Sequence, residues 1–264
     1  MVEPVPTERG WLTRILAAKR EQIAGLRRDT LPEPPPLRPL GLRRRAGEPL
    51  RLIAEIKLRS PSAGPLSIEL GVAERARRYE RAGASMISVL TDSEFFDGRF
   101  EHLSEARQAT GLPILCKDFV LDEVQLDFAR AWGADSVLLI VRCLEPKRVT
   151  PLVRAARALG LEPFVEVVTP AEAELALDAG ALLIGVNARD LDTLEVDTER
   201  TRHVLESLPA QTVAVHLSGL RTAEDVAGVA ATRVDAALVG EALMRLADPS
   251  PLLERMAAAA GSSR

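Results

Sequence analysis

Apolar residues fall along this chain in two rhythms. Near the start, Leu12, Ile15, Leu16, Ile23 and Leu26 recur at the three- and four-residue spacing of a helix with one buried face, which predicts a helix from Arg9 to about Arg28. Pro32, Pro34, Pro35, Pro36 and Pro39 then make 31–40 an extended connector. Beyond it the rhythm changes to short, nearly continuous runs of Val, Ile, Leu and Ala at 51–57, 85–90, 113–118, 135–141, 162–168, 181–187, 212–218 and 235–240. Such runs suit parallel strands covered on both faces. The intervening stretches, among them Ala73 to Ala82 and Pro146 to Leu159, have helical length and periodicity, and Gly83, Gly133 and Gly180 read as helix C-caps. A doubly wound open sheet is the alternative, but eight consecutive strand–helix units favour closure into a (β/α)8 barrel, an α/β TIM barrel with an N-terminal helical extension. One barrel over 1–264 is expected, with 1–40 packed on it as helix and connector.

Composition narrows what the barrel can do. A net charge of −4 with no basic run interleaved with aromatics argues against nucleic acid. No apolar run approaches the roughly 20 residues of a membrane span. The N-terminus lacks the apolar core of a signal peptide. A cytoplasmic monomer acting on a small molecule is the expectation. Cys116 and Cys143 form no C-x-x-C pair and read as buried apolar residues, so neither a disulfide framework nor a metal site is expected. Only Lys19, Lys57, Lys117 and Lys147 are lysine, against 30 arginines. An ammonium can give up its proton near neutral pH when buried or crowded, which a guanidinium effectively cannot.

Barrels of this kind work at the C-terminal ends of their strands. There the runs end or continue in Glu55 and Lys57, Lys117 and Asp118, Glu166, Asn187 and Arg189, Ser218 and Gly219, and Gly240 and Glu241. Glu55 and Glu166 sit inside apolar segments, so each points into the barrel mouth or is buried in its wall, and Lys57 and Lys117 are candidate partners. Two lysines and two carboxylates in one cleft are a means of shifting pKa values toward acid and base work. Ser218-Gly219 and Gly240-Glu241 each precede a helix-like segment whose N–H groups can cradle a phosphate. Phe95, Phe96 and Phe119 are either walls for a flat ring or packing between loop and barrel. His102 and His203 read as solvated, and His216 as packed, with a place in the site as the alternative.

The segment IAEIKLRSPSAGPL resembles the signature of indole-3-glycerol-phosphate synthases, and LTDSEFFDGRFEHL, PILCKDFVLDEVQ, ADSVLLIV, FVEVVT, GVNARDL and GEALMR follow in family order. The resemblance covers essentially the whole barrel and the leading ILAAKREQI helix. It implies a cofactor-free lyase that converts 1-(2-carboxyphenylamino)-1-deoxyribulose 5-phosphate to indole-3-glycerol phosphate, carbon dioxide and water. By motif position, Lys117 would be the general acid at the substrate's ketone oxygen and Glu166 a proton handler in the later dehydration. Glu55 and Lys57 would be further essential charges, and Asn187 and Arg189 would hold polar groups of the substrate. Ser60, Pro61 and Ser62 belong to a loop that closes over it. Phosphate would rest on Ser218, Gly219, Gly240 and Glu241, the first of these also counted with the catalytic set. The anthranilate ring would lie near Phe96, Phe119, Leu138 and Leu191.

The chain departs from the family's usual E-S-G after the seventh strand, where it has Leu217-Ser218-Gly219, and His216 is a candidate to occupy the space beside it. Two other readings compete. Another phospho-sugar barrel, such as a phosphoribosylanthranilate or triose-phosphate isomerase, explains a phosphate grip but not the lysine and glutamate set. A degenerate barrel kept for partner binding is encouraged only by Leu217.

Overall fold

The computed structural model describes residues 10–60, 64–66, 69–190 and 195–261. Eight parallel strands close into a barrel: β1 (Arg51–Ile56), β2 (Met86–Leu90), β3 (Ile114–Lys117), β4 (Ser136–Ile140), β5 (Glu162–Val167), β6 (Leu183–Asn187), β7 (Val213–Leu217) and β8 (Ala236–Val239). Each pairs with its sequence neighbours, and β8 closes on β1 with Arg51 opposite Ala236 and Ala54 opposite Val239. All eight predicted runs are strands, trimmed at their ends where the chain turns out of the sheet.

Period-two alternation sorts the strand residues into two cores. Leu52, Ala54, Ile87, Val137, Val165 and Ile184 face outward and pack under the surrounding helices. Ile53, Met86, Leu115, Leu138, Phe164, Val215 and Ala236 face inward and fill the barrel. Among the covering helices are α2 (Val72–Arg81), α4 (Glu101–Ala109), α5 (Glu123–Ala131), α6 (Pro146–Ala158), α7 (Pro170–Asp178), α8 (Thr198–Ser207), α9 (Ala223–Ala230) and α11 (Ser250–Ala260). The ends of α2 and α5 show why glycine follows them. Gly83 and Gly133 take φ of 95° and 98°, a left-handed turn that lets Ala84 and Ala134 donate back to Tyr79 and Ala129 and aims the chain into the next strand.

The predicted first helix is α1 (Trp11–Gly25), with the residues before Gly10 outside the described set. Its Leu12 and Ile15 join the barrel's inner core, Leu40 of the connector packs against that core, and Leu42 just beyond joins it. The extension therefore contributes apolar side chains to the interior cluster from both its helix and its proline-rich strap.

Candidate active site

A cavity of about 520 Å³ opens at the C-terminal end of the strands. Residues at or just past the ends of seven of the eight strands reach it: Glu55 and then Lys57 from β1, Lys117 from β3, Ile140 from β4, Glu166 from β5, Asn187 and then Arg189 from β6, Leu217 from β7 and Leu238 from β8. Residues far apart in sequence meet here because parallel strands of a barrel deliver their last inward side chains to the same ring.

The charges form two linked groups. Glu55 is 3% exposed and lies 2.7 Å from the Lys57 ammonium and 3.8 Å from that of Lys117. Burial alone would raise its carboxyl pKa. The two ammoniums overcome that, and the group is held below the ordinary carboxylate range. Opposite stands Glu166, equally buried, with one oxygen accepting from Asn187 Nδ2 at 2.8 Å and the other without a hydrogen-bond partner. The amide of Arg189 donates to Asn187 Oδ1 at 3.0 Å, which fixes the orientation of the Asn187 amide.

Two turns form the far wall. Ser218 and Gly219 follow β7 with φ of 67° and 84°, a left-handed pair unusual for serine. Gly240 precedes the short helix α10 (Glu241–Met244); the amides of Leu243 and Met244 donate to the Gly240 carbonyl, and those of Glu241 and Ala242 precede the first intrahelical bond. A Cβ on Gly240 would stand 2.3 Å from Glu55 Oε1, so only glycine lets this turn and that carboxylate approach each other. Glu241 turns to Arg245, at 2.7 Å. Burial would raise the Glu241 pKa, but Arg245, Lys57 and Arg189 hold it down. Arg221 and Arg245 line the same wall, two cations against the one carboxylate of Glu241.

On the apolar side, Phe96 and Phe119 stand 6.1 Å apart, and Trp11, Leu12 and Ile15 of α1 complete the surface. Phe95 turns away to meet Trp11 edge-on at 5.3 Å. Leu138 is buried in the barrel interior and does not line the cavity; Ile140, two residues on, does. Ser60 lines the cavity, while Pro61, Ser62 and Leu191 lie outside the described residues.

Lys19 of α1 is the chain's most buried lysine, at 3% exposed. Its ammonium lies 2.7 Å from Asp92 and 2.6 Å from Asp118. Asp92 caps α3 (Ser93–Phe96), which bears Phe96, and Asp118 sits between Lys117 and Phe119. One ammonium thus ties α1 to both halves of the aromatic wall. Burial opposes its charge, yet the two aspartates raise its pKa above the ordinary value.

One histidine expectation changes, and of the two readings of His216 the packed one holds. His102 is 5% exposed, not solvated, because its side of α4 packs inward. His216 does not enter the cavity beside Leu217. Alternate residues of β7 face opposite sides, so Leu217 lines the cavity while His216 lines a separate cleft under α8 and α9. Among the described residues, no group of three His, Cys, Asp or Glu is arranged to hold a metal ion, and no helix is long and apolar enough to cross a membrane.

A family model described as indole-3-glycerol phosphate synthase matches residues 11–256. The indole-3-glycerol phosphate synthase of Exiguobacterium sp. is 43% identical over 93% of this chain and 96% of its own length. That of Desulfotalea psychrophila is 40% identical over 93% and 97%. Among solved structures, 3-hexulose-6-phosphate synthase from Salmonella typhimurium superposes with a TM-score of 0.64 at 16% identity, covering 80% of this chain and 98% of that one. Thiamine phosphate pyrophosphorylase from Pyrococcus furiosus gives 0.61 at 21%, covering 80% and 95%. Both likenesses concern the fold.

Proposed function

The chain belongs to the indole-3-glycerol phosphate synthase family, and we propose that the cavity at the C-terminal end of its barrel is where it closes the indole ring. It is a lyase that converts 1-(2-carboxyphenylamino)-1-deoxyribulose 5-phosphate to indole-3-glycerol phosphate, carbon dioxide and water. The observation that carries the assignment of this site is the pairing of Glu55 with two lysines opposite Glu166 and Asn187, within one cavity that has an aromatic wall and a far wall bearing Arg221 and Arg245.

The phosphate rests on the turns at Ser218-Gly219 and Gly240-Glu241, and the anthranilate ring lies against Phe96 and Phe119. Attack by the ring carbon on the ketone disrupts aromaticity and builds negative charge on the ketone oxygen. Lys117 gives that oxygen a proton as the bond forms, which lowers the barrier. Loss of carbon dioxide restores the ring. Elimination of the new hydroxyl as water then needs an acid and a base. Glu166 takes up the released proton on its unpartnered oxygen, held in position by Asn187. Glu55 keeps the Lys57 and Lys117 ammoniums in place with its two oxygens, and Lys57, the second ammonium, gives its proton to the leaving hydroxyl so that it departs as water. Arg189 and Ser60 contact polar groups of the substrate.

Lys117→Arg tests the proton transfer. The guanidinium keeps the charge and can still pair with Glu55, but it is a poor donor at neutral pH, so turnover is expected to fall by about 10²–10⁴-fold. Carbon dioxide release and the indole chromophore should be followed together, with substrate affinity measured separately. Near-normal turnover in the variant removes Lys117 from the acid role.

A further inference from the structure

Arg142 follows β4 in a single 3-10 turn, Val141–Cys143, and takes no part in lining the catalytic cavity. Its backbone is fixed on both sides, because Val141 packs into the outer core and Cys143 into the inner one. From that anchor its guanidinium reaches two carboxylates, Glu172 through Nε at 3.0 Å and Asp190 through Nη1 at 2.6 Å. All three side chains are less than a fifth exposed, so solvent screens the triad poorly. A planar guanidinium also fixes the direction of each contact.

The two carboxylates belong to the exits of neighbouring strands. Glu172, in the first turn of α7, uses its second oxygen to accept from the amide of Val168 at 2.6 Å, two residues beyond Glu166. Asp190 follows Arg189, whose backbone is held by an antiparallel bridge to Val196 and by the Asp190 amide on the Glu195 carbonyl at 2.9 Å. Arg189 lines the cavity, and its amide orients Asn187, which donates to Glu166. Asp190, the next residue, lies outside the cavity lining and meets Arg142 instead. The ladder between β5 and β6 ends at Val167 and Val186. Past that point Arg142 ties the exit that carries Glu166 to the segment that carries Arg189.

We propose that Arg142 is a positioning residue for ring closure: by holding Glu172 and Asp190 to one guanidinium, it sets the spacing between Glu166 and the Asn187–Arg189 segment. The proposal rests on the roles given above to Glu166 and Arg189. Reacting groups displaced by about 1 Å can lose about 10²-fold in rate, so a tie behind the cavity wall is felt at its face.

Steady-state kinetics on the full chain, at a temperature where circular dichroism shows each variant folded, provide the test. Arg142→Gln removes the charge and the fork, and kcat is expected to fall and KM to rise, each by about tenfold. Two further variants keep the guanidinium and neutralise one partner at a time. Glu172→Gln retains a residue able to complete the capping box of α7, so it should lower kcat by about fivefold with KM little changed. Asp190→Asn frees the Arg189 side chain, while the bridge to Val196 still holds the amide that orients Asn187. It should raise KM by about fivefold with kcat little changed, the mark of lost uniform binding. Adding Asp190→Asn to Arg142→Gln should raise KM no further, because the contact is already gone. If Arg142→Gln does not fold, the split between Glu172→Gln and Asp190→Asn decides. Folded variants with kcat and KM within about twofold of the parent, whatever their loss of thermal stability, would make the triad a brace only and overturn the proposal. So would effects of Arg142→Gln and Asp190→Asn on KM that multiply in the double variant, or a Glu172→Gln and an Asp190→Asn that move the same constant. Glu166→Gln and Arg189→Gln are measured alongside. If those two leave kcat and KM near the parent's, the reading of the site fails and takes the role of Arg142 with it. If they cost kcat and KM respectively while the Arg142 set does not, only the role of Arg142 fails.

Discussion

Asp135 and Asp235 stand at the N-terminal end of the barrel, half a barrel apart, and do the same work. Asp135, just before β4, accepts from the amide of Ile114 at the start of β3 (2.8 Å), from the connector amide of Arg38 (2.7 Å) and from the Arg107 guanidinium (2.9 Å). Asp235, just before β8, accepts from the amides of Ala214 of β7 and of Arg44 between the connector and β1, both at 2.9 Å. At the C-terminal end, Glu55 and Glu166 are buried as deeply, yet one Glu166 oxygen has no partner and both lysines of Glu55 remain partly exposed in the cavity. Carboxylates whose acceptor sites are filled by their own chain bind the connector to the barrel. Carboxylates left partly unanswered are available to a substrate. The difference between the ends is one of completion, not of residue type or burial.

The strongest way to break this comparison is to damage the completed end. Asp135→Ala leaves the Arg107 guanidinium, 9% exposed, without its carboxylate and strips the Ile114 and Arg38 amides of their acceptor. Removing one partner of a buried pair costs about 3–5 kcal/mol. Chemical denaturation should show that loss, while kcat and KM of the folded variant stay near those of the parent. A variant as stable as the parent, or one that loses turnover as Lys117→Arg does, would end the division of labour between the two ends.

Lys19 sharpens the comparison because it is a completed cluster at the site end. Lys19→Met abandons Asp92 and Asp118, but α1 can lift and readmit water, so the expected loss of stability is smaller, about 1–3 kcal/mol. The pH dependence identifies the cause. The folded pKa of Lys19 is raised above its ordinary value of 10.5, so its contribution is fully present below that value and fades as pH rises through the higher folded value. The stability gap between parent and Lys19→Met should therefore be constant near neutrality and shrink in strongly alkaline solution. A gap that persists there would assign the loss to packing of the lysine stem.

The sequence makes the barrel legible because strands covered on both faces must be apolar at nearly every position, and such runs stand out from amphipathic helices. It makes Glu55 and Glu166 legible for the same reason: a carboxylate inside an apolar run requires an explanation. The parts of the site that do not announce themselves lack any such contradiction. Trp11, Leu12 and Ile15 form an ordinary helical stripe, which looks the same whether it covers a core or a cavity. Leu138 and Ile140 both face inward at period two, and only the height of β4 in the barrel decides which reaches the cavity. The Lys19 cluster joins residues more than seventy positions apart, beyond any local pattern. His102 shows the converse, a polar residue on a helix that is buried because its neighbours in space are apolar.

Leu217 is the apolar exception among the strand ends, and it offers the smallest of these tests. Its side chain fills the space over Gly185, approaching to 2.7 Å from where a Cβ would be, and Gly185 is the register partner of Glu166. Leu217→Glu would therefore bring a second carboxylate toward the Glu166 and Asn187 pair. Like charges at close range disfavour ionisation of both. If Glu166 acts as the base, the acidic limb of the kcat/KM profile should move to higher pH, by up to about one unit, equivalent to about 1.4 kcal/mol. At pH well above that limb, the variant and the parent should turn over alike. A limb that stays in place would mean that the residue at 217 does not face the proton-accepting group, and that the apolar side chain there is simply the last inward layer of the barrel.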